Sequence, residues 1–154
     1  MKINFKKLIT IIIITFVIGS LFSFIIMKNT DIYKSLQKPI NVPSIVFPIV
    51  WSVLYLLMSI ALYIITNTNN INKDKAIKIY AAQLIVNSIW TLIFFGFKLY
   101  LFAFIWLLLL LVLIIIMIYI FYKIKKVTLY LLLPYLIWVI FAGYLNFEIY
   151  LLNR

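Results

Sequence analysis

Apolar residues fill this chain in five long, nearly unbroken runs, at 8–27, 44–66, 79–97, 99–122 and 127–152. Each is close to the roughly 20 residues that an α-helix needs to cross a hydrocarbon core about 30 Å thick. Strands of a membrane barrel would instead alternate apolar and polar positions over about 10 residues. The intervening stretches KNTDIYKSLQKPINVP, NTNNINKDK, a tight turn around 96–98, and KIKK are too short to hold a soluble domain. The pattern therefore predicts an all-α membrane protein: a single integral membrane domain over 1–154, built as a bundle of five transmembrane helices. The first run follows MKINFKK, as a signal peptide would. It is long for such a segment and carries no small-residue cleavage site before KNTD, so a retained helix is expected.

Polar and aromatic positions inside the runs have helical spacing. Gln83, Asn87, Trp90 and Phe94 fall at i, i+4, i+7 and i+11 and share one side of the third helix. Trp51, Tyr55 and Met58 repeat the spacing in the second, and Trp138, Ala142 and Leu145 in the fifth. Turned inward, these stripes would wall a space with indole, phenol and aliphatic groups and a few amides. Such walls suit a flat aromatic molecule, whose faces stack on rings while amides hold its polar edge. The plainer reading is that Gln83 and Asn87 hydrogen-bond across to neighbouring helices. The fourth run, with WLLLLLVLIIIMIYIF, is apolar all round and suits lipid, with Trp106 as packing or lipid-facing. Pro134 lies inside the fifth run, where it removes one backbone bond and should bend or loosen the helix. Gly19 and Ser23 make a small-xxx-small pair in the first run, the kind that permits close packing.

Composition agrees with the bilayer as solvent: of 154 residues, 68% are hydrophobic and 11% charged, against about a quarter charged in soluble domains. There is no Cys and no His, and Asp31, Asp74 and Glu148 are the only acids. Disulfides, thiolate or histidine metal sites and Ser/His/Asp catalysis therefore lack their parts, and no metal and no required cofactor are expected. The net charge of +11 comes from residues flanking the runs, not from one basic face, so no nucleic-acid partner is expected. In a five-span chain the N-terminal side holds nine cations (Lys2, Lys6, Lys7, Lys73, Lys75, Lys78, Lys123, Lys125, Lys126) and the other side five (Lys28, Lys34, Lys38, Lys98, Arg154). This bias places the N-terminus in the cytoplasm.

Three segments give the chain a resemblance to a known family. KPINVPSIVFPIVWSVLYLLMSIALY leads into the second helix, YAAQLIVNSIWTLIFFG forms the third, and LPYLIWVIFAGYLNFEIYLLN forms the fifth. In order and spacing they resemble the TspO/MBR family of tryptophan-rich sensory proteins, also called translocator proteins or peripheral benzodiazepine receptors. The first loop, DIYKSLQKPINVPSIV, departs from the family pattern: Ile32 and Tyr33, and later Ile45, stand where Trp is frequent.

The resemblance implies five membrane helices, commonly in a homodimer, in a bacterial-type cell membrane, with a pocket near the first loop. It implies binding of porphyrins such as protoporphyrin IX or haem, and in some members of sterols or isoquinoline and benzodiazepine-type ligands. Ligand positions would fall on Trp51, Tyr55, Gln83, Asn87, Trp90, Phe94, Trp138, Ala142 and Leu145, with Asn146 and Asn153 supporting the fold. Lys38 would be the nearest cation for the propionates. The alternatives are light-dependent porphyrin breakdown through Trp51 and Trp138, or porphyrin or sterol transport.

Overall fold

The computed structural model describes residues 3–26 and 31–154, and the side chains of 24–26, 31 and 32 are outside that description. The chain forms α1 (Phe5–Gly19), α2 (Leu21–Ile26), α3 (Asp31–Ser35), α4 (Val46–Thr66), α5 (Lys73–Thr91), α6 (Tyr100–Ile124) and α7 (Thr128–Leu152). A π-helical turn, Leu92–Gly96, carries α5 onward. Its wide winding appears in the bond from Phe97 N–H to the Leu92 carbonyl at 3.0 Å. The chain then reverses through Lys98, whose φ of 56° lies in the left-handed region.

Among the described residues, four helical segments are individually long and apolar enough to cross a membrane: Val46–Thr66, Lys73–Gly96, Tyr100–Ile124 and Thr128–Leu152. These take up the second to fifth sequence runs. The third begins six residues earlier than the apolar pattern indicated, because Lys73–Lys78 continue the helix beyond its apolar part, with Asp74 in the favourable first turn. Pro134 lies inside α7 without ending it.

The first run differs from the continuous helix expected over 8–27. α1 has 15 residues, about 22 Å at 1.5 Å per residue, and the helix is interrupted at Ser20 before α2 begins. Two side chains bond to the backbone at the break. Ser20 Oγ donates to the Phe16 carbonyl at 2.5 Å, and Tyr55 Oη donates to the Gly19 carbonyl at 2.8 Å. That carbonyl would otherwise serve the next turn of helix. A five-helix count therefore does not follow from helix lengths alone. Met27, which closes the predicted first helix, and Lys2 and Lys28, used in the charge bias, lie outside the described residues. The short α3 occupies a stretch that the sequence pattern left as loop.

The closest backbone approaches run α1–α4, α4–α7, α7–α6 and α6–α5, and α5 packs back on α1. Association inside lipid gains nothing from excluding tails that are as apolar as leucine, so packing and cross-helix hydrogen bonds must carry it. α6 shows the packing part. Ala103, Leu107, Leu110, Ile114, Met117 and Phe121 are buried at spacings of three and four, while Leu101, Ile105, Leu108, Val112 and Ile115 are exposed on its outer side. Trp106 belongs to neither set alone, since its Nε1 donates to the Val86 carbonyl of α5 at 2.8 Å. At one end of the bundle Lys7 Nζ donates to the Thr66 carbonyl at 3.1 Å and to Asn67 Oδ1 at 2.9 Å. A cation there meets the negative end of the α4 dipole.

Gly19 leaves no room for a side chain. A Cβ built on it would lie 2.6 Å from Tyr55 Cζ, inside van der Waals range of a ring held by Phe16 and Trp51. Gly19→Ala is therefore expected to lower stability by about 1–3 kcal/mol, the usual cost of overpacking. Thermal unfolding in detergent should show the loss, and should show it shrink in a Tyr55→Leu background, where the ring is gone.

Candidate functional site

α5 and α7 reach each other through long side chains. Tyr135 Oη donates to Gln83 Oε1 at 2.8 Å, and Trp90 Nε1 donates to Asn146 Oδ1 at 3.1 Å. Above the first of these bridges a cavity of about 610 Å³ opens between α4, α5 and α7 and the α1–α2 break. That volume lies within the roughly 300–1,000 Å³ of typical small-molecule pockets.

The walls carry eight aromatic rings among the described residues. Phe47, Trp51 and Tyr55 come from α4, Trp90, Phe94 and Phe95 from α5 and its π turn, and Ala142, Leu145, Asn146 and Ile149 from α7. Trp51 and Tyr55 lie 5.5 Å apart with planes tilted 33°, and Trp90 and Phe94 lie 5.3 Å apart at 34°. Each pair presents a broad apolar face. Phe16, Ser20 and Ser23 contribute from α1 and α2, and Tyr33 from α3. Among the described residues, no charged side chain lines the cavity. At its rim, Lys38 Nζ donates to the Tyr33 carbonyl at 2.6 Å and sits 4.5 Å above the Tyr33 ring. Partial burial raises the Tyr33 phenol above its ordinary pKa.

Seven of the nine sequence-predicted positions border this space: Trp51, Tyr55, Asn87, Trp90, Phe94, Ala142 and Leu145. Gln83 and Trp138 do not. Gln83 is fully buried one turn below Asn87 and serves as the acceptor for Tyr135, with its Nε2 lacking a partner. Its position is the cross-helix one that the plainer sequence reading allowed. Trp138 stands edge-on to Phe47, ring centres 6.0 Å apart, so that Phe47 lies between it and the cavity. Its Nε1 is buried without a partner.

Asn87 differs from the other wall amide. Asn146 is committed on both sides, accepting from Trp90 and donating through Nδ2 to the Tyr100 carbonyl at 2.7 Å. It thereby fixes the edge of the Trp90 indole and leaves the ring face to the cavity. Asn87 is 2% exposed, and its Nδ2 makes no hydrogen bond of full geometry, only a weak side-chain hydrogen bond with the Tyr55 hydroxyl. A buried donor in this state costs about 1–3 kcal/mol, which an acceptor placed in the cavity would return.

Sequence reasoning missed Phe47, Tyr33, Phe16 and the wall role of Asn146. Phe47 was findable, four residues before Trp51 on the same stripe. Phe16, Ser20 and Ser23 likewise repeat at four and three. Tyr33 has no periodic signal. As for metals, no group of three or more His, Cys, Asp or Glu occurs among the described residues. A haem here would be held by ring faces and amides, with no His in the chain to ligate its iron.

Comparison with known proteins follows the same geometry. The chain matches the TspO/MBR family over residues 10–152. It is 35% identical to the tryptophan-rich protein TspO of Archaeoglobus fulgidus over 152 residues, covering 97% of this chain and 99% of that protein. It is 35% identical to a tryptophan-rich sensory protein of Cereibacter sphaeroides over 129 residues, 83% of this chain and 80% of the relative. The translocator protein of Bos taurus is 31% identical over 126 residues, 79% and 75% of the two chains. Matched from α1 to the end of α7, this chain belongs to the TspO/MBR family.

Proposed function

We propose that this protein is an integral membrane protein of sensory or translocator type that receives a flat, hydrophobic ligand, a porphyrin such as protoporphyrin IX or haem, between α4, α5 and α7. The observation that carries the proposal is the unpartnered Asn87 amide on the wall of a ring-lined cavity. Stacking against Trp51 and Trp90 would hold the faces of the guest, and Asn87 its polar edge. The names of the relatives, tryptophan-rich sensory protein and translocator protein, support a role of this class.

In this reading α1 and α2 together make a first crossing. The chain then spans five times as one domain, with the N-terminus in the cytoplasm, in keeping with the lysine bias. Trp51 borders the cavity while Trp138 stands behind Phe47, so binding, and not photo-oxidative breakdown, is the function proposed.

The test is titration of the detergent-solubilised protein with protoporphyrin IX, read as quenching of Trp fluorescence. Saturable quenching is expected. Asn87→Leu should weaken it about two- to tenfold, the worth of one net hydrogen bond, and Ala142→Trp, which fills the space, should abolish saturation. Linear quenching that is the same in the wild type and Ala142→Trp would refute the proposal.

The lining is uncharged among the described residues, which sets the orientation of the guest. Its propionates must stay at the rim, where Lys38 is the cation already held on a wall residue. Lys38→Met should weaken protoporphyrin IX about two- to fivefold, as expected for an exposed ion pair. The same substitution should leave the dimethyl ester unaffected in the same titration.

A further inference from the structure

We propose that Asn153 is a positioning residue that latches the first interhelical segment across the cavity and so sets how readily a guest enters and leaves. The inference rests on reading the cavity as a ligand site. Residues 33–38 lie along its loop end. Tyr33 lines the cavity, and Leu36 packs with Tyr33 against Ile93, Phe94, Ala103 and Ile149. Tyr33 also stands edge-on to Phe47, another wall ring, at 5.3 Å. Lys38 folds back on Tyr33 through its carbonyl and its ring. Those two Lys38 contacts are internal to the segment: they stiffen it without fastening it to α7.

Asn153, immediately beyond α7, does the fastening. Its Oδ1 accepts from the Gln37 N–H at 3.0 Å, and its Nδ2 donates to the Gln37 carbonyl at 2.9 Å. The one amide thus pairs with both backbone groups of a residue 116 positions away, as a neighbouring strand would. Nδ2 also donates to the Ile149 carbonyl at 2.8 Å, which holds the amide against the last turn of α7. Ile149 itself lines the cavity, so the latch joins the segment to the wall. Gln37 takes part through its backbone, so Asn153 is the half that a substitution can remove. The two bonds to Gln37 are exposed to solvent, and such bonds add little net free energy. That suits a fastening that opens and recloses, as lids over binding sites do.

The chain has no cysteine, so a single introduced thiol reports on the opening without any ligand. Ala142→Cys places it in the cavity wall, and Ala76→Cys places one in the buried start of α5 as a control. Alkylation by N-ethylmaleimide in detergent is the readout. Adding Asn153→Ala should raise the rate at position 142 about fivefold or more, the equivalent of one to two net hydrogen bonds, and leave position 76 unchanged. Asn153→Asp, which keeps the acceptor and loses both donors, should fall between. An unchanged rate at 142, or a parallel rise at 142 and 76, would overturn the latch.

A second arm mixes protoporphyrin IX with the cysteine-free protein in a stopped-flow instrument. Asn153→Ala should speed association and dissociation together, whereas faster dissociation alone would contradict gating. If the wild type binds no protoporphyrin IX, the functional reading fails while the alkylation arm still decides the latch.

Discussion

In hydrocarbon, every N–H and O–H that leaves water must find its acceptor within the protein, and this constraint organises the bundle. A polar group stranded in lipid costs several kcal/mol, so the chain's few intramembrane polar side chains are spent where helices meet. Thr15 and Tyr80 join α1 to α5 at 2.7 Å. Tyr55 joins α4 to the end of α1, Tyr135 joins α7 to α5, and Trp106 joins α6 to α5. Asn146 alone ties α7 to both α5 and the start of α6. Against that background Gln83 Nε2, Asn87 Nδ2, Ser88 Oγ and Trp138 Nε1 are buried without a partner, and of these residues Asn87 is the one that lines the cavity.

The same bridges explain why a space exists. Trp90 and Asn146, and lower down Gln83 and Tyr135, span the distance between α5 and α7 with long side chains. Close packing at that level is replaced by a ring-lined void. Tyr135 and Gln83 are both fully buried and do not line it. On the opposite side, at the break between α1 and α2, Ser20 and Ser23 line the wall. One phenol, Tyr55, serves both needs: its ring is a wall and its hydroxyl satisfies the carbonyl that the break exposes.

Much of this was legible in the sequence, and the failures share a cause. Periodicity reports the direction in which a side chain leaves its helix, and it found the inward faces of α4, α5 and α7. It does not report depth along the axis. Gln83 and Phe94 share a stripe yet lie 11 residues apart, about 16 Å along a helix, and the cavity reaches Asn87 and stops. Trp138 shares a stripe with Ala142, but Phe47 from another helix covers it. Such cover is a property of the packed bundle and leaves no mark on α7 itself. The break in the first run was hidden for a similar reason. Gly19 and Ser23 read as a site of close approach, and the approach is real, but it is made by a ring from α4 that also takes the backbone carbonyl. The proposed latch pairs the Asn153 side chain with the backbone of Gln37, a partner that no side-chain pattern encodes.

The account turns on one claim: the ring and amide faces of three helices enclose room for a flat guest instead of closing on each other. An experimentally determined structure of the protein with protoporphyrin IX tests it most directly. The account predicts density for the macrocycle between Trp51 and Trp90, with its edge at Asn87 and its propionates toward Lys38. Density for the ligand on the outer, lipid-facing side of α6, with the space between α4, α5 and α7 collapsed, would contradict it.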